Sequence, residues 1–106
     1  MTNVWKQTKQ DRISLPLIAT RLRVLAMQDP EILKIVLGHT SKRYTLSTLV
    51  ENYLRNTEEL KRQIYDTILG LFGGNPLEIY VLSKQHQDAQ VFNRWGTYQI
   101  YPVQRQ

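Results

Sequence analysis

The run Gly73-Gly74-Asn75-Pro76 constrains the fold of this chain more than any other feature. Two glycines followed by asparagine and proline end whatever precedes them, because neither a helix nor a strand ladder continues through such residues. Upstream of the break, apolar residues recur at spacings of three and four. Downstream, Leu77-Glu-Ile-Tyr-Val-Leu82 and the stretch Val91 to Val103 are rich in β-branched and aromatic side chains. A helical portion is therefore expected first and a β portion second.

Each expected helix carries its own signals. Ser14 caps the first, Leu15, Ile18, Leu22 and Leu25 form one stripe, and Pro16 is tolerated in the first turn, which predicts a helix over 15–28. Asp29-Pro30-Glu31 reads as a restart, with an N-cap, a proline at the first helical position and an acid at the positive dipole end. It opens a helix over 30–37 with Ile32, Leu33, Val36 and Leu37 apolar, closed by Gly38. A third helix is expected over 46–55, gathering Leu46, Leu49, Val50, Tyr53 and Leu54. Asn56 with Glu59 three residues later matches a capping box for a fourth, which projects Leu60, Ile64, Ile68, Leu71 and Phe72 to one side.

The expected fold class is α+β: a small cluster of about four helices followed by a C-terminal antiparallel β-hairpin. A three-stranded meander is the alternative, should Asn93-Arg94-Trp95-Gly96 form a second tight turn. Helices followed by a wing of strands resemble the winged-helix arrangement. Residues 1–12 read as a flexible basic arm, 13–103 as a single domain, and 104–106 as a frayed tail.

Positive charge is unevenly placed. Residues 1–43 hold Lys6, Lys9, Arg12, Arg21, Arg23, Lys34, Lys42 and Arg43 against Asp11, Asp29 and Glu31, so the whole net charge of +5 belongs there. A concentrated positive field points to a polyanionic partner. The resulting reading is a small nucleic-acid-binding protein, DNA-binding and regulatory, and dimeric so as to span two half-sites. Lys6, Lys9, Arg12, Arg21, Arg23, Lys42 and Arg43 are its candidate phosphate contacts, and Ser47, Thr48, Asn52, Arg55 and Arg62 its candidate base contacts. Glu58 and Glu59, at the start of the fourth helix, oppose a groove-reading role for that helix.

The rival reading is a non-catalytic adaptor, inhibitor or small accessory subunit that binds an acidic protein surface. Its candidate aromatic interface is Tyr80, Trp95, Tyr98 and Tyr101, drawn from a C-terminal region holding five of the ten aromatic side chains.

Catalysis is not expected. With no cysteine there is no thiolate nucleophile and no Cys-based metal site, and no cofactor or metal is implied. Leu37-Gly38-His39-Thr40 is similar to the Leu-Gly-His-Ser/Thr segment of tyrosine recombinases. The position of that family's nucleophile is Thr48 here, so no catalytic role carries over. Gly70-Leu-Phe-Gly-Gly-Asn75 lacks the lysine of a phosphate loop. His86 and Asp88 have no third ligand at a suggestive spacing. No apolar run approaches the roughly 20 residues of a membrane helix, and no secretory h-region is visible. The expected location is the cytoplasm.

Overall fold

Helix α1 covers Leu15–Gln28 and begins as its sequence dictates, with Pro16 in the first turn and the Ile18 amide donating to the Ser14 carbonyl. The Ser14 hydroxyl itself makes no cap bond. Ile18, Ala19, Leu22 and Ala26 are the buried face. The structure, a computed structural model, describes residues 13–39, 42–51, 56–84 and 98–103. The arm, the tail, and the expected turn at 93–96 lie outside the described residues.

Asp29-Pro30-Glu31 does not restart a helix. The Ile32 amide donates to the Asp29 carbonyl at 3.0 Å, and the Glu31 amide donates to Asp29 Oδ1 at 3.1 Å, closing a turn. Asp followed by Pro suits a β-turn as well as a helix start, and the element downstream decides between them. That element is strand β1, Ile32–His39, paired antiparallel with β2, Tyr44–Val50. The expected helices over 30–37 and 46–55 are therefore corrected to two adjacent strands, and Gly38 lies inside a ladder opposite Thr45. In β1, Ile32, Ile35 and Leu37 join the core while Val36 is buried on the other face. Apolar residues on both faces of a strand imitate a three-four helical spacing. In β2, Tyr44, Leu46, Thr48 and Val50 alternate with Thr45, Ser47 and Leu49, a β-branched pattern.

Helix α2, Thr57–Thr67, is the expected capped helix. Asn56 Oδ1 accepts the Glu59 amide at 3.1 Å, and Leu60 and Ile64 are buried. It ends earlier than the apolar spacing implies. Ile68 is its C-cap, and Gly70 and Gly73, at φ of 83° and 60°, turn the chain so that Ile68 and Phe72 still reach the core.

The last two strands correct the hairpin and meander alike. Strand β3, Leu77–Ser83, runs parallel to β2, whereas β4, Tyr98–Tyr101, pairs antiparallel with β1. The four-stranded mixed sheet has the order β3-β2-β1-β4, so the two elements expected to form a wing occupy opposite edges. The described fold has two helices, not about four, and is α+β without a winged-helix arrangement. Helix α1 packs on β4 and β1, α2 packs on β3, and the helices touch each other. They close a core with Ile35, Leu46, Val50 and Ile100 of the sheet.

Thr48 shares the helix-facing side of β2 with Leu46 and Val50, is fully buried, and its Oγ1 has no hydrogen-bond partner. A buried unsatisfied hydroxyl costs on the order of 1–3 kcal/mol. Thr48→Val keeps the shape and removes that group, and is expected to raise unfolding free energy by about 1 kcal/mol in urea titrations.

Candidate interaction surfaces

Helix α1 is apolar on two sides. Besides its buried stripe it presents Leu17, Val24 and Met27, which are 39%, 49% and 75% exposed. Their spacing of seven and three puts them on one outward face, and Arg21 lies among them. The Arg21 side chain makes no ion pair or hydrogen bond with a described residue. With Thr20, Val24, Leu25 and Gln28 it borders a shallow depression that Thr67 of α2 completes.

The other predicted phosphate contacts among the described residues do not gather at one place. Arg23 is engaged within the fold: its Nε donates to the Ile100 carbonyl at 2.7 Å and its Nη2 to the Tyr98 hydroxyl at 3.3 Å, tying α1 to β4. Arg43 precedes β2 and pairs with Glu78 of β3 at 2.6 Å. Arg23 and Arg43 thus serve opposite edges of the sheet, about 14 Å apart by strand spacing alone. Lys42 is exposed beside Arg43. Lys6, Lys9 and Arg12 lie outside the described residues.

Of the predicted base contacts, Ser47 and Thr48 are buried strand residues, Ser47 opposite Val36 and Thr48 toward the helices. A helix over 46–55 would have exposed both, and the strand assignment reverses that. Arg62 is exposed on α2 but held by Glu59 and Asp66. The Arg62 hydrogen bond lowers the Glu59 pKa, and the same contact raises that of Arg62. Asn52 and Arg55 lie outside the described residues.

The aromatic set divides likewise. Tyr98 sits on the helix side of β4 beside Arg23, Tyr101 packs against the core, and Trp95 lies outside the described residues. Tyr80 is 40% exposed on the opposite face of the sheet, next to Glu78 and Arg43. His39 ends β1 rather than a helix, and its ring stacks on Tyr44 at 4.1 Å. Among the described residues no three His, Asp or Glu side chains converge as a metal site, and no helix is long and apolar enough to cross a membrane. His86 and Asp88 are not among them. Comparison with protein-family models, curated proteins and solved structures finds no match.

Sequence reasoning misses the outer face of α1. The signal is present: only Arg21 and Arg23 are charged in the fourteen residues of the helix, so the apolar positions cannot all fit one stripe.

The Tyr80 hydroxyl donates to the Glu78 carboxylate, and this bond, with burial and the carboxylate charge, raises the phenol pKa above its ordinary 10.0. A raised native pKa favours the protonated phenol. The contribution to stability is therefore complete below the unfolded value and is lost as pH rises through the folded one. Ultraviolet difference titration against Tyr80→Phe is expected to show Tyr80 ionising above pH 10.0, and Glu78→Gln to lower that midpoint.

Proposed function

We propose that this protein is a non-catalytic interaction protein, an adaptor, inhibitor or small accessory subunit, that docks its partner on the outer face of α1. The observation that carries this reading is the exposed row of Leu17, Val24 and Met27 around Arg21. Exposed apolar residues gathered on one helix face, unlike singly scattered ones, are the kind of surface that marks an interaction site. The occupant it fits is a protein presenting an apolar face with a carboxylate placed for Arg21. The cysteine-free composition suits a cytoplasmic setting.

The test is a pull-down with the full chain, with and without nuclease, followed by titration of the recovered partner. A stoichiometric complex is expected to survive nuclease. Val24→Asp with Met27→Asp should weaken it at least about tenfold, the loss of a central anchor, with the circular dichroism spectrum unchanged. A complex indifferent to these substitutions removes α1 as the docking face.

The charge excess of residues 1–43 favours a second reading, nucleic-acid binding through Lys6, Lys9 and Arg12 with Arg21 and Lys42. Duplex affinity is then expected to fall steeply between about 50 and 200 mM salt, and to fall again when the three arm cations are replaced by alanine. No binding at low salt discards it.

A further inference from the structure

The two edges of the sheet are finished differently. Strand β4 is short at four residues, its pairing with β1 contains an irregularity, and Pro102 lies just beyond it. Short length, bulges and proline are the usual devices that stop an edge from recruiting another strand. Strand β3 has none of them. It is seven residues long, Leu-Glu-Ile-Tyr-Val-Leu-Ser, with Glu78 its single charge and no proline inside. Among the described residues nothing pairs with its outer side.

The hydrogen bonds fix which backbone groups face outward. The Lys84 amide donates inward to the Val50 carbonyl at 3.0 Å, and the Pro76 carbonyl accepts inward from the Tyr44 amide at 2.9 Å. Successive residues of a strand direct their N–H and C=O to alternate sides. The even-numbered residues of β3 therefore bond to β2, and Leu77, Ile79, Val81 and Ser83 offer their backbone groups outward.

We propose that a second copy of this chain occupies this edge, with β3 antiparallel to β3 about a two-fold axis through Val81. Three registers bring outward-facing residues together near the middle of the strand. An axis at Tyr80 sets Glu78 against Leu82 of the other copy, and one at Ile79 sets Glu78 against Tyr80. The axis at Val81 alone places Glu78 opposite Lys84 of the other copy, twice by symmetry, and Tyr80 opposite Leu82. Within each copy Glu78 also meets Arg43 and Lys84 meets Glu51, so the contact joins these pairs into one alternating network. In this register Val81 faces its own counterpart and Ile79 faces Ser83 as hydrogen-bonded pairs. The complementary side chains fall at the closer non-hydrogen-bonded positions, all on the sheet face away from the helices.

An isologous contact of this kind closes on itself, which ends the liability of the edge. Each copy contributes its four described strands, which the contact joins into one continuous sheet. Helix α2 presents a further feature. Thr67 borders α1, and Tyr65, which is exposed, lies about 200° around the helix from it.

This inference is independent of the partner proposed for α1, since the two surfaces share no residue. The test is sedimentation equilibrium of the full chain over about a hundredfold range of concentration. A dimer is expected for the native sequence. Glu78→Lys alone creates two Lys–Lys contacts and Lys84→Glu alone two Glu–Glu contacts, so each variant should dimerise at least about tenfold more weakly. An equimolar mixture of the two restores both attractions and should regain dimer, which misfolded variants could not do. Val81→Pro removes an outward amide without touching the β2 ladder and should also yield monomer. A native chain that stays monomeric overturns the proposal. So does a dimer unaffected by Val81→Pro, or variants whose mixture does not reassociate.

Discussion

Strand β2 carries the fold because it is bonded along both sides. Its antiparallel ladder to β1 needs only a short turn, but its parallel ladder to β3 requires the chain to travel the length of the sheet and return. Helix α2 is that return path, which places it against β3. Burial then sets the register: Leu46 and Val50 must face the helices, and a slip of one residue would expose them while burying Thr45 and Leu49. With β2 and β3 settled, the remaining edge of β1 is the place left for β4, and α1 covers the seam between those two strands.

This ordering explains why two helices are legible in the sequence and two strands are not. The start of α1 and the cap of α2 are local chemistry, written in Ser14-Leu15-Pro16 and in Asn56 with Glu59. The identity of β1 is not local. Ile32, Leu33, Val36 and Leu37 satisfy a helical spacing, and only the ladders to β2 and β4 on either side make this run a strand, with Val36 buried on the face away from the helices. In β2 the alternation from Tyr44 to Val50 is visible, but Leu46, Leu49, Val50, Tyr53 and Leu54 also fit one helical face. The β character of Leu77 to Leu82 is legible, but not its partner, because pairing across α2 depends on where β2 lies.

The same dependence separates the cations among the described residues. Charge counted along the chain is blind to the side each residue takes. Arg23 is drawn to the carbonyl of Ile100, Arg43 to Glu78 and Arg62 to Glu59. Exposed ion pairs such as those of Arg43 and Arg62 contribute little to stability, typically below about 1 kcal/mol, yet they give these cations partners of their own. The apolar surplus of α1 behaves oppositely. No side chain of the sheet can absorb both of its faces, so the excess remains outside.

Arg23 has a consequence for the growing polypeptide. Its acceptor, the Ile100 carbonyl, lies 77 positions later in the chain. During synthesis at about 5–20 residues per second, α1 is complete several seconds before the strand that pins it has left the ribosome. Throughout that interval the helix lacks the strand it packs on, and both of its greasy sides are open to whatever nascent-chain binder is at hand.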